Sequence, residues 1–238
     1  MWNPDQYERF KTERSQPFWD LVALVAPRPD MRIVDLGCGT GELTRALHEK
    51  LGARETLGID SSATMLAKAQ ANEPVLRFRN ESIETFDESG FDLVFSNAAL
   101  QWVPDHEMLF PRLAQLGSQL AVQMPANDDH VSHLTAAEVA RELGMDVRPN
   151  YVLPPECYSH LLYEIGFRKQ HVRLQVYGHV LPSTEDVIEW VKGTLLTFYT
   201  HDPRFLDRYR ERLLQRLGMQ RPYFYTYKRL LIWGERGT

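Results

Sequence analysis

Short apolar runs alternate with amphipathic stretches through the first half of the chain. Met31-Arg32-Ile33-Val34-Asp35-Leu36 is short, apolar and β-branched, which predicts a buried strand ending at Gly37. Residues 42–51 set Leu43, Ala46, Leu47 and Leu51 on one helical face. The alternation then repeats. Strand 55–59 stops at Asp60, Ser61-Ser62 offers an N-cap for helix 62–72, and strands Val75–Arg79 and Phe91–Ser96 follow, then helix 107–116 and strand Gln119–Met124. Upstream, residues 15–26 read as a helix with Pro17 in its first turn and Pro27 and Pro29 at its end. Strands alternating with helices of about ten residues predict βαβ units and a parallel sheet.

The period changes after Pro125. Residues 131–144 and 156–166 predict helices and Lys169–Tyr177 alternates like a strand. Residues 183–217 hold two helices split near Asp202-Pro203, and 223–233 form an aromatic-rich strand. The expected class is α/β, with seven strands and a helical insertion between the last two.

Composition narrows the function. The 238 residues are 43% hydrophobic and 25% charged, as in a globular domain rather than a disordered chain. The net charge of −5 argues against a dedicated nucleic-acid binder, which carries a basic face. The polar start, Met1-Trp2-Asn3-Pro4-Asp5, does not resemble a signal peptide, and no apolar run is long enough to span a membrane. Cys38 and Cys157 form no disulfide framework, and no metal-ligand spacing is present. The expectation is a cytoplasmic protein that acts on a small molecule, with no nucleic-acid, membrane or metal partner. Its oligomeric state is open.

Asp35-Leu36-Gly37-Cys38-Gly39-Thr40-Gly41 is the sharpest feature. It follows a strand and opens a helix, where bare backbone and helix amides approach a ligand closely. Asp60 ends the next strand, 23 residues after Gly37, and can accept two hydrogen bonds from ribose hydroxyls. The competing reading is a glycine turn with an N-capping Asp. A dinucleotide fingerprint would need glycine where Glu42 stands, and a carboxylate there would repel a pyrophosphate. A phosphate-free ribose cofactor such as S-adenosylmethionine suits the loop better, and Asp35 or nearby carbonyls could meet its ammonium.

The segment D-L-G-C-G-T-G resembles motif I of the class I S-adenosylmethionine-dependent methyltransferases, and Gly58-Ile59-Asp60-Ser61-Ser62-Ala63-Thr64-Met65-Leu66 resembles their second motif. The resemblance implies a doubly wound, seven-stranded, Rossmann-like methyltransferase sheet with an antiparallel last strand. Residues 1–182 and 221–238 would form the core with an N-terminal lid, and 183–220 a helical cap. It also implies that Gly37, Cys38, Gly39 and Gly41 cradle the cofactor. Asp60 and Ser61 would take its ribose, and Met65, Ser82 and Ile83 would lie at its adenine. Ser82 stands where the family usually has an acid. Asn97 and Ala98, in a segment like motif IV (Phe91–Trp102), would line the methionine end, and Tyr7 would close over the site.

A closer likeness, to the trans-aconitate 2-methyltransferases, rests on Trp2-Asn3-Pro4, Glu13-Arg14-Ser15, Asn97–Trp102, Pro104-Asp105-His106 and Ala121–Pro125. Juvenile hormone acid methyltransferases share this arrangement, and both families esterify carboxylic acids. Where the trans-aconitate enzymes carry Leu-Arg-Pro, this chain has Leu196-Thr197-Phe198, which favours a less anionic or more apolar acid.

A carboxylate is ionised at neutral pH and needs no general base, only an orienting donor and shielding from water. Arg14 is the first candidate for that donor; it could instead grip the cofactor carboxylate or sit exposed on its helix. Gln101 could donate to the acceptor or cap the next turn. Trp102 could wall the pocket or pack in the core. His106 could serve as base for a phenol or amine acceptor, or be a solvated loop histidine. Five arginines between Arg204 and Arg216 read as an anion face or as a solvated helix interleaved with acids. Phe198 and Tyr199 line an acceptor pocket or pack inside the insertion.

The runner-up reactions are O- or N-methylation of a phenol or amine. A binding module without turnover and a nicotinamide oxidoreductase are the readings from other classes.

Overall fold

The computed structural model describes residues 11–199 and 201–237, with side chains from Ser15 onward. Helix α1 (Lys11–Val22) precedes β1 (Arg32–Leu36), α2 (Glu42–Leu51), β2 (Glu55–Asp60), α3 (Ala63–Asn72) and β3 (Arg77–Asn80). Then come β4 (Phe91–Asn97), a 3-10 turn at Leu100–Trp102, α4 (His106–Leu116) and β5 (Gly117–Pro125). The remainder is α5 (Val131–Glu142), α6 (Pro155–Glu164), β6 (Phe167–Leu181), α7 (Asp186–Lys192), a 3-10 turn at Leu196–Tyr199, α8 (Pro203–Leu217) and β7 (Tyr223–Arg236).

The seven strands form one sheet in the order β3-β2-β1-β4-β5-β7-β6. β1 pairs in parallel with both β2 and β4, and β4 with β5. Chain order therefore runs outward in two directions from β1, so a crevice forms at the carboxyl ends of β1 and β4. Register brings Leu36 beside Ile59 and Asn97 beside Gln123.

Two expectations need correction. The first helix begins before residue 15 and ends at Val22, with Pro17 inside it. Phe18, Leu21 and Val22 are buried, so packing of that face outweighs the proline penalty. Val75 lies outside β3 and is 91% exposed; the strand starts at Arg77, where its pairing with Leu57 begins.

The chain divides into two compact units. The first holds residues 16–125, 151–175 and 230–237, and the second holds 11–15, 126–150, 176–199 and 201–229. In the first, Phe18, Leu21 and Val22 of α1 pack with Ile33, Leu93, Phe95, Ala121 and Leu231 of the sheet. In the second, the buried cluster joins α5, α7, α8 and β7, and is aromatic: Trp190, Tyr199, Phe205, Tyr209, Tyr225 and Tyr227. Tyr199 stacks on Phe205 at 4.4 Å and is 1% exposed, so it packs in this core, whereas Phe198 is 37% exposed. Among the described residues no helix is long and apolar enough to cross a membrane.

Candidate active site

The glycine loop joins β1 to α2, and its glycines meet different surroundings. A Cβ on Gly37 would lie 2.2 Å from the Ala99 Cβ, so this position lets the loop press against the segment that follows β4. Gly39 has φ +58° and nothing within 4 Å of where a Cβ would stand, which leaves its bare backbone facing open space. Gly41 caps α2 and packs against Phe78. Cys38 is buried, and burial with the nearby Asp35 and Asp60 pushes its thiol pKa up, so it fills space rather than reacting.

Asp60 is fixed by main-chain donors. Its Oδ2 accepts from Gly39 N–H at 2.9 Å and its Oδ1 from Ser62 N–H at 2.8 Å. A carboxylate has about four acceptor sites, so each oxygen keeps capacity for a hydroxyl donor. Asp35 is 4% exposed and accepts from Thr44 Oγ1 at 2.6 Å. Burial pushes its carboxyl up to about 6, and the nearby Asp60 adds to this. Two carboxylates beside an open glycine backbone form a place that favours a cation carrying hydroxyls.

Around this pair, Ser61 and Met65 are exposed, and Met65 is an uncovered apolar side chain. Met65 N–H donates to the Ser62 N-cap at 3.3 Å. Ile83 is buried, with its Cδ1 3.8 Å from the position a Gly37 Cβ would take. Ser82 Oγ is 3.1 Å from Thr85 Oγ1 within its own turn.

The end of β4 is held from both sides. Ser96 Oγ donates to the Leu36 carbonyl at 2.8 Å, and Gln123 Nε2 donates to Asn97 Oδ1 at 2.6 Å. Ala98 adopts φ +56°, a left-handed conformation that is costly for a residue with a Cβ. Its N–H donates to the Gln123 carbonyl at 2.8 Å, and its own carbonyl accepts from Gln101 Nε2 at 2.6 Å. The Gln101 amide N–H is thus spent on the turn, as the capping reading expected. Its Oε1 is a buried acceptor with no protein partner, and it suits an N–H⁺ donor rather than an anionic acceptor molecule. Trp102 is 50% exposed, which removes the core-packing alternative.

His106 is neither a solvated histidine nor a free base. It is 1% exposed, with Nε2 3.0 Å from the Leu100 carbonyl and Nδ1 on the Tyr158 hydroxyl. Tyr158 in turn accepts from Leu153 N–H at 3.1 Å. A carbonyl accepts only, so Nε2 carries the proton and Nδ1 receives the Tyr158 O–H. Burial holds the imidazole below its usual pKa, in keeping with this neutral form. The relay pins the Leu100–Trp102 turn to α4 and α6. Thr44, Gln123 and Tyr158 carry this construction, yet no local motif marks them; contact across the fold identifies them. Tyr7 lies outside the described residues, as does the side chain of Arg14.

The arginine run on α8 is paired with acids. Arg212 Nη1 lies 2.9 Å from Glu142, Arg216 Nη2 2.6 Å from Glu138, and Arg210 pairs with Glu185. That matches the interleaved-helix reading rather than an anion face. No cluster of three or more metal-ligating side chains occurs among the described residues.

Residues 33–116 match the family model for a methyltransferase domain. The trans-aconitate 2-methyltransferase of Deinococcus radiodurans is 46% identical, over 97% of this chain and 96% of that protein. The chain belongs to the trans-aconitate 2-methyltransferase family. Members of this family are S-adenosylmethionine-dependent methyltransferases, and so is this protein. The Escherichia coli relative of the same description is 38% identical over 92% of this chain and 91% of its own length. The fold is shared more widely. The YcgJ protein of Bacillus subtilis superposes with a TM-score of 0.63 at 16% identity, covering 93% of this chain and 98% of that one. The magnesium protoporphyrin IX methyltransferase of Synechocystis, solved with S-adenosylhomocysteine bound, gives 0.59 at 17% identity, covering 99% and 88%.

The residues present fit S-adenosylmethionine. The open Gly39 backbone and the spare lone pairs of Asp60 suit an adenosyl ribose, and the orphaned Gln101 Oε1 suits an ammonium.

Proposed function

We propose that the protein transfers a methyl group from S-adenosylmethionine to one carboxylate of trans-aconitate or a closely similar polycarboxylic acid, giving a methyl ester. The observation that carries the acceptor class is the near full-length likeness to relatives named for trans-aconitate. When bound, the cofactor supplies an electrophilic methyl on a sulfonium, so the protein's share is placement and desolvation.

In this reading the ribose hydroxyls bond Asp60, whose carboxylate is already aligned by Gly39 and Ser62. Met65 and Ile83 flank the adenine, with Ser61 and Ser82 at its rim. The ammonium meets Gln101 Oε1 and the field of Asp35, and Asn97 with Ala98 shapes the methionine end. The half-exposed indole of Trp102 shields the reacting carboxylate from water. Arg14 orients that carboxylate and Tyr7 closes the site. The buried relay of His106 places that histidine off the reaction path, which favours an acid over a phenol that needs a base.

A panel of organic acids, phenols and amines assayed with methyl-labelled cofactor tests the reading. Label is expected in a base-labile ester of trans-aconitate. Transfer only to phenols or amines would replace it with the runner-up reaction.

A further inference from the structure

The segment after β4 is held by residues that methyl transfer itself does not use. Ala98 N–H on the Gln123 carbonyl anchors its start to β5, and Ala99 presses against the bare backbone of Gly37. The turn at Leu100–Trp102 closes locally, with Trp102 N–H on the Ala99 carbonyl at 3.1 Å and Val103 N–H on the Leu100 carbonyl at 2.9 Å. His106 adds a second donor to that Leu100 carbonyl, through Nε2 at 3.0 Å.

The imidazole is set in turn from α6. Tyr158 O–H donates to His106 Nδ1, and the phenol oxygen accepts from Leu153 N–H at 3.1 Å. Burial pushes the Tyr158 hydroxyl up, so it keeps its proton at neutral pH. The chain therefore runs in one direction: Leu153 N–H to Tyr158, Tyr158 O–H to His106, His106 N–H to Leu100. Leu100 and Tyr158 are 0% exposed and His106 1%, so no bulk water replaces a lost partner. Phe110 packs beside both rings, with centres 5.0 Å from Tyr158 and 5.8 Å from His106. All of these residues belong to the first unit. The turn at the end of the chain carries Gln101, whose Oε1 has no protein partner, and the half-exposed Trp102.

We propose that His106 and Tyr158 are positioning residues for the methionine end of S-adenosylmethionine: by fixing the Leu100 carbonyl they hold the turn that presents Gln101 and Trp102. The inference rests on the placement of that end beside the turn, given above, and is independent of which acid is methylated. The ribose side has its own supports, the Gly39 and Ser62 N–H groups on Asp60, which the relay does not touch.

Calorimetry on the full chain tests this with two ligands. S-adenosylhomocysteine carries the amino-acid end, and 5′-methylthioadenosine keeps the adenosine and thioether without it. Tyr158→Phe and His106→Leu are each expected to weaken S-adenosylhomocysteine about fivefold or more, as for loss of a buried hydrogen bond, with 5′-methylthioadenosine changed by less than about twofold. His106→Gln, whose amide N–H can still reach the Leu100 carbonyl, should recover most of the loss and serves if His106→Leu does not fold. Equal weakening of both ligands, as a merely structural role would give, overturns the proposal, and so does unchanged affinity for both. Gln101→Leu separates this inference from the ammonium reading of Gln101. If it binds S-adenosylhomocysteine like wild type while Tyr158→Phe loses that ligand selectively, the relay stands and Gln101 leaves the ammonium. If it weakens that ligand while Tyr158→Phe and His106→Leu do not, Gln101 stays and the relay is overturned.

Discussion

The two units differ in the chemistry of their interiors. The cofactor-side unit uses open backbone at Gly39 and the carboxylates of Asp35 and Asp60, and its other polar contacts are mostly spent holding the loop and the β4 end in place. The other unit has an aromatic core of Trp190, Tyr199, Phe205, Tyr209, Tyr225 and Tyr227, and Arg210, Arg212 and Arg216 of α8 are paired with acids. Residues 35–65 carry most of the candidate cofactor site, whereas the aromatic core draws on positions from 136 to 227.

The contrast can be broken most sharply at Asp60. Asp60→Ala should weaken S-adenosylmethionine binding by about 1.5–3 kcal/mol, the range for a charged hydrogen bond, while the KM for the acid stays near wild type. Calorimetry and steady-state kinetics on the folded variant check this; an unchanged cofactor affinity would remove Asp60 from the site.

A smaller effect lies in pH. Asp35 is raised to about 6, so it is charged at pH 7 and neutralised as the pH falls through about 6. Cofactor affinity should therefore drop about tenfold between pH 7 and pH 5, because the cation loses its counter-charge on the acid side. S-adenosylhomocysteine, which lacks the sulfonium charge, should lose less, and Asp35→Asn should flatten the profile. An affinity for the sulfonium that rises toward pH 5 would reverse the assignment.

The smallest change is expected on α8. Arg208 pairs with Glu211 at 3.2 Å on an exposed face, so Arg208→Ala should cost less than about 1 kcal/mol in stability and leave the KM for trans-aconitate unchanged. Thermal melts and kinetics check both. A large rise in KM would reverse the solvated-helix reading of α8.

Much of the fold was legible before any contact was known. Helix 42–51 matches α2 because its apolar period and the glycines at both ends are local signals. The first helix was misplaced because Pro17 marks a start by local rules, whereas burial of Phe18, Leu21 and Val22 keeps it inside a longer helix. His106 was misread for a similar reason. Its place at the start of a loop-borne helix suggested solvent, and only Tyr158, 52 residues later, closes its relay.

The sequence alone determined the strand–loop–helix–strand unit and its acidic terminus, because those residues are neighbours along the backbone and local geometry suffices to bring them together. Tertiary structure decided that Gln101 keeps a free carbonyl oxygen rather than a free N–H, that His106 is buried and neutral, and that the α8 arginines pair with Glu138, Glu142 and Glu185. Those outcomes depend on burial and on partners far along the chain, which no local pattern encodes.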